Sequence, residues 1–185
     1  MSVYAKGGSK AKGSEQGTNI TDSRIVEARN AQQKATSLAE QYGYNDLPPN
    51  KKTVASDGDI HTLSGWKDLG QDSDFTRVSP QEVINKSQEI GHTLRSAGAN
   101  DQGVPGQYNA SHAEKQLSII SDKPIGISQP MCKDCQSYFT QLSAAENRTI
   151  VTADTNTVRI FNPDTSVSSI RSDGSVSVSI QKNKN

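Results

Sequence analysis

The chain has 185 residues, is 31% hydrophobic and 5% aromatic, and carries no net charge. That length suits one domain with a modest core. Zero net charge excludes a generally basic surface of the kind that grips nucleic acid non-specifically. No apolar run marks a signal peptide or a membrane span, and two cysteines make no disulfide framework. The expectation is a soluble protein acting in the cytoplasm, with no membrane partner.

Residues 1–20 are polar and rich in Gly, Lys and Ser, and read as a flexible lead-in. Thr21 or Asp22 can cap a helix running to about Gln41. Its apolar stripe is Ile25, Ala28, Ala35, Leu38 and Tyr42, and Gly43 ends it. Asp46 to Asn50, with Pro48 and Pro49, is a break. Thr53-Val54 and Ile60 to Leu63 suggest a strand pair around an Asp57-Gly58 turn. Ser79-Pro80 opens a helix carrying Val83, Ile90 and Leu94, to about Leu94. Gly98 to Gln107 is a Gly-rich loop.

Beyond it the pattern predicts helix, strand, helix, strand, strand. Ser111 is the expected N-cap of the first helix, with Ala113, Leu117 and Ile120 as its buried face. Pro124 to Ser128 is a short apolar strand. The next helix carries Cys132 and Cys135, with Tyr138, Phe139 and Leu142 facing the core. Thr149 to Ala153 and Thr157 to Phe161 are β-branched strands joined by a short turn, which favours antiparallel pairing. The tail alternates strictly over Val176 to Ile180 after Ser172-Asp173-Gly174, and reads as a hairpin on the sheet edge or as a loose tail.

The chemistry concentrates in His112-Ala113-Glu114 and Cys132-Lys133-Asp134-Cys135. Catalytic zinc keeps three protein ligands and an open fourth position. His112, Cys132 and Cys135 supply three. Zinc lowers the pKa of its water from 15.7 to about 7, and Glu114 is then the natural proton shuttle. Cys132 and Cys135 share a face on one helical turn. His112 and Glu114, two apart, converge only if His112 sits at the helix boundary. A Cys-x-x-Cys alone fits a redox pair or half a structural zinc site, with His61 or His92 as the fourth ligand. His61 and His92 otherwise read as ordinary surface or core histidines.

From Tyr108 to Asp164 the chain resembles the cytidine deaminase superfamily, and within it the bacterial polymorphic-toxin nucleic-acid deaminases, whose members include DNA-cytosine deaminases. The resemblance rests on Tyr-Asn-Ala-Ser-His-Ala-Glu-Lys-Gln from Tyr108, Met-Cys-Lys-Asp-Cys-Gln from Met131 and Arg-Ile-Phe-Asn-Pro-Asp from Arg159. It implies zinc on His112, Cys132 and Cys135, with Glu114 as catalytic proton shuttle. One departure is Met131, which separates Pro130 from Cys132 where the common pattern has Pro directly before the Cys. The implied fold is α/β, a cytidine-deaminase-like layered fold with a central mixed β-sheet flanked by helices and the zinc site at two helix N-termini. The implied organisation is a flexible segment over 1–20, a deaminase domain over 21–165 and a hairpin or tail over 166–185.

The implied activity is hydrolytic conversion of cytosine to uracil in nucleic acid, DNA favoured over RNA, by a monomeric toxin domain that is delivered into a target cell and met by an immunity protein. Two other readings stay open: a deaminase of free nucleosides, nucleotides or bases, and a binding module with structural zinc. Asn109 offers two donors and an acceptor for a base edge or sugar, and Tyr108 a flat face for stacking, or both structure their loop. Lys115, Lys123 and Lys133 lie near the motifs and form either a local basic lip or a solvated surface. Trp66, the one tryptophan, is expected in the core.

Overall fold

The computed structural model describes residues 22–46, 51–67 and 74–180. The lead-in over 1–20, the alternative cap Thr21 and the Pro48-Pro49 break lie outside these residues. The described residues fold as a mixed α/β protein. Its seven strands are β1 (Val54–Ser56), β2 (His61–Leu63), β3 (Ile125–Ile127), β4 (Ile150–Ala153), β5 (Thr157–Phe161), β6 (Ser166–Arg171) and β7 (Val176–Ile180). They form one sheet in the order β2-β1-β3-β4-β5-β6-β7. Only the β3–β4 pair is parallel; the other neighbours are antiparallel.

Helix α1 (Ser23–Gln41) starts where Asp22 accepts the Arg24 N–H at 2.9 Å. It buries Ile25, Ala28, Ala31, Ala35, Leu38 and Ala39. Four of these six are alanines, so the helix backbone can approach the sheet closely. Its first half packs on Val151, Val158, Ile160 and Ile170, and its second half on Val54, Leu63 and Phe75. The closest approach is at Gly126 in β3, where a Cβ would lie 1.9 Å from the Gln32 backbone nitrogen. No side chain fits there.

The opposite face carries the main core and the helices that bear the motifs. Helix α2 (Pro80–Ile90) opens with a full capping box between Ser79 and Glu82. It stops at Gly91, whose φ of 77° caps it in the left-handed region. The helix is therefore a turn shorter than the apolar spacing out to Leu94 predicts. Helix α3 (Gln107–Ala110) is a single turn, and α4 (Ala113–Ile120) follows it directly. The cap of α4 is His112, not Ser111; the Ser111 hydroxyl instead donates to the Tyr108 carbonyl at 2.7 Å. Ala113 and Leu117 are buried as expected, but Ile120 is exposed, while Glu114, Lys115 and Gln116 are buried. The buried face of α4 is partly polar, a distribution that an apolar stripe cannot signal.

Helix α5 (Lys133–Glu146) buries Tyr138, Phe139 and Leu142 completely. Tyr138 meets Phe139 edge-on at 5.3 Å, and Phe139 meets Phe161 of β5 at 5.7 Å. Ile125 and Ile127 point into this same core, so β3 alternates between the two layers. β6 and β7 pair around Ser172–Ser175 and extend the sheet. Among the described residues, no helix is long and apolar enough to cross a membrane.

The Gly126 contact generates a direct test. Gly126→Ala drives a methyl into the α1 backbone, and overpacking of this kind costs about 3 kcal/mol. Urea denaturation is expected to show a loss of that size. Unchanged stability would mean that α1 can lift from β3 freely.

Candidate functional site

Two helix starts face each other. His112 occupies the N-cap of α4 and Cys132 the N-cap of α5, with Cys135 one turn further along. Capping geometry is extended backbone, and this lets His112 turn toward the cysteines while Glu114 stays on the same side. The potential ligand atoms of His112, Cys132 and Cys135 all lie within 4.8 Å of one another. His112 Nδ1 is 3.3 Å from Cys135 Sγ and 3.5 Å from Cys132 Sγ. A tetrahedral zinc with Zn–S near 2.3 Å and Zn–N near 2.0–2.1 Å requires N···S separations of about 3.5 Å. The donor set and its spacing therefore fit such an ion.

His61 and His92 are engaged elsewhere. His61 Nδ1 lies 2.8 Å from Ser56 Oγ, and His92 Nε2 lies 3.3 Å from Asp134 Oδ2. Among the described residues, the metal-capable group comprises three side chains.

The protonation of the three donors is tightly coupled. Hydrogen bonding by the Cys135 side chain, and the His112 ring beyond it, draw the Cys132 thiol down to about 3. Burial pushes Cys135 well above the ordinary thiol range. Burial opposes the charged form of His112, but the facing Cys132 and Glu114 outweigh it and raise the imidazole pKa.

Glu114 is 3% exposed and lines a cavity of about 690 Å³ together with His112 and Cys132. Its carboxylate has no hydrogen-bond partner among the described residues. Tyr108 stands at the mouth, 44% exposed, with its ring edge-on to His112 at 5.6 Å. Asn109 is placed differently. It is buried, its amide donates to the Arg95 carbonyl at 2.8 Å, and it is not part of the cavity lining. Asp101 fixes this loop by accepting the Tyr108, Ala97 and Gly106 N–H groups at 2.9, 2.9 and 3.1 Å.

Lys115 is no part of a basic lip. It is 0% exposed and paired with Asp134, and its Nζ also donates to the Asn109 carbonyl at 2.8 Å. Asp134 accepts the Arg95 N–H at 2.9 Å as well. Burial works to raise the Asp134 carboxyl, but His92, Lys115 and that amide hold it well below the usual range. Burial likewise opposes the Lys115 charge, and Cys135 and Asp134 restore it, leaving its pKa raised. Lys123 pairs with Asp59 at 2.6 Å, and Lys133 lines a different cavity, which Phe161 and Ile180 also line.

The cations at the cavity are Lys51, Lys52 and Lys67, which flank the β1–β2 hairpin. Trp66 is half-buried on the same wall rather than in the core. These four are distant from the motifs in sequence, and the pairing of β1 with β3 and the Gly65 N–H bond to the Ser111 carbonyl bring them near. The one hint was a tryptophan between Gly65 and Lys67, too polar a setting for a core anchor.

The inserted Met131 lies between β3 and α5. Its side chain enters the core, its N–H donates to Asp154 Oδ2 at 2.8 Å, and Pro130 remains on the cavity wall. Arg159 holds the same carboxylate oxygen at 2.6 Å.

Two predictions follow from these contacts. Zinc binding must displace the Cys135 proton and any proton on His112, so affinity should fall as pH falls, with at least one proton released per zinc at pH 7. Calorimetry in buffers of differing ionisation enthalpy measures this; no proton release would contradict the donor assignment. Lys115→Met leaves Asp134 buried without its cation and should cost about 3–5 kcal/mol in urea denaturation. Adding Asp134→Leu should recover part of that loss; strictly additive losses would show that the two side chains do not interact.

Residues 61–118 match a family model described as single-strand DNA deaminase toxin A, C-terminal. The match spans His112 and Glu114 and ends before the two cysteines. No curated protein matches the chain. The chain is thus similar, over this stretch, to a bacterial toxin nucleic-acid deaminase.

Proposed function

We propose, from the match over 61–118 and the geometry around Glu114, that this chain is a zinc-dependent deaminase converting cytosine to uracil in single-stranded DNA, and that it serves as a toxin domain. The observation that carries the reading is a buried carboxylate with no hydrogen-bond partner among the described residues, in one cavity with His112 and Cys132. A structural zinc site has no use for such a group.

His112 Nδ1 and the Cys132 and Cys135 sulfurs would hold the metal. When bound, zinc supplies a water acidified to a pKa of about 7. Glu114 accepts the proton of that water and passes it to the ring nitrogen of cytosine. Hydrolysis of the C–N bond needs a second proton on the departing amine, and Glu114 would carry it so that ammonia leaves. Tyr108 offers its exposed ring to the target base at the mouth. Asn109 contributes by fixing the Tyr108 segment on the Arg95 carbonyl.

A base stacked in a duplex cannot reach a floor this deep, so an unpaired strand is the fitting substrate. An immunity protein over the cavity mouth, a monomeric state and action in a target cell's cytoplasm accompany this reading.

The test is product analysis by mass spectrometry with single- and double-stranded DNA, RNA and free nucleosides. Uracil is expected in single-stranded DNA, and Glu114→Gln should reduce turnover by about 10²–10⁴-fold with zinc and fold retained. Conversion of free nucleosides alone would replace this reading with one of nucleoside metabolism.

A further inference from the structure

The cavity is electrically lopsided. The chain as a whole is neutral, yet three lysines, Lys51, Lys52 and Lys67, line one wall. Ala99, Asn100, Gln102, Gln129 and Pro130, also in the lining, are uncharged. Among the described residues of the lining Glu114 is the one acid, and it is buried.

The basic wall is built rather than scattered. The two arms of the β1–β2 hairpin run side by side past Val54 and Leu63. Beyond the strands, Thr53 and Ser64 bond each other: Thr53 N–H donates to Ser64 Oγ at 3.0 Å, and Ser64 N–H to the Thr53 carbonyl at 2.9 Å. Gly65 N–H donates to the Ser111 carbonyl at 3.0 Å, which pins the Trp66 arm to the residue before His112. The Lys52 ammonium lies over Gly65, 3.8 Å from where a Cβ would stand. A half-buried indole therefore lines the same cavity as three cations, on a frame hydrogen-bonded to the residue before His112.

Cations flanking an aromatic face are what a single strand recognises: ammonium groups meet phosphates, and a flat ring takes a base of any identity. We propose that the ends of the β1–β2 hairpin form the strand-binding track of this protein. Lys51, Lys52 and Lys67 hold the phosphates next to the target nucleotide, and Trp66 stacks on a neighbouring base. This assignment rests on the nucleic-acid reading above, and extends it from the reacting base to the strand that carries it.

Because Trp66 is the one tryptophan of the chain, its fluorescence reports the track directly. The experiment titrates Glu114→Ala protein with a short single-stranded oligodeoxynucleotide, following both tryptophan emission and anisotropy of a labelled strand. Turnover plays no part, so loss of the deaminase reading and loss of the track are separable outcomes.

Quenching of Trp66 is expected to saturate with binding. Each Lys→Gln change in the track should weaken binding and flatten the plot of log affinity against log salt by about 0.7. Trp66→Ala should weaken binding about tenfold or more, with the fold checked by circular dichroism. Lys123→Gln, on the ion-paired lysine away from the cavity, should leave affinity unchanged. Strand binding without tryptophan quenching, equal effects of Lys123 and the track lysines, or no strand binding at all would overturn the proposal.

Discussion

The buried contact between Lys115 and Asp134 is the constraint on which the site depends. Lys115 follows Glu114 on α4, and Asp134 lies between Cys132 and Cys135 on α5. Neither ion can be left without the other in a core this dry. Their pairing sets the two helix starts at one separation and orientation. Asp134 also takes the Arg95 amide and Lys115 the Asn109 carbonyl, so the loops on both sides of Tyr108 are tied to the same point. His92 and the Tyr138 ring complete the enclosure, the ring centroid 5.9 Å from the ammonium. A lysine at full burial is expensive, and here it fixes a catalytic frame rather than a surface.

The sheet delivers the pieces to that frame. β3 leads into α5 through Ser128 to Met131, and its single parallel neighbour β4 leaves room for a helix start at the strand end. On the far face α1 lies flush against Gly126, which keeps β3 from shifting beneath the site. β1 pairs with β3, and Val54 and Ser128 bond each other through N–H to Oγ and N–H to carbonyl, both at 2.9 Å. This pairing carries the hairpin ends to the cavity rim. The candidate site and the lysine-bearing hairpin ends thus share one strand interface.

What the sequence made readable was local. The Asp22 cap and apolar stripe of α1, the Ser79-Pro80 start of α2 and the strand pair around Asp57-Gly58 each lie within a few residues, and each formed close to where its pattern placed it. The His112, Glu114 and Cys132/Cys135 spacings carry their chemistry in the same short range. The misreadings were all of burial. Lys115 looked like a surface lysine because its partner is nineteen positions away on another helix. Trp66 looked like core because a lone tryptophan usually is, yet its hairpin arm ends at the cavity. Ser111 looked like a cap, but the preceding turn of α3 uses its hydroxyl and passes the cap position to His112. Long-range pairing decides the first two cases and a bond to the preceding turn the third, and no periodicity in the chain encodes either.

The central claim is a three-donor metal centre with its fourth position facing Glu114. X-ray absorption at the zinc edge of the purified protein measures this most directly. The account predicts one zinc per chain with two sulfurs at about 2.3 Å and two lighter N/O neighbours at about 2.0–2.1 Å, one from His112 and one from solvent. Cys132→Ser should remove one sulfur from that shell. A shell of four protein donors, or a protein that takes up no zinc at all, would contradict it.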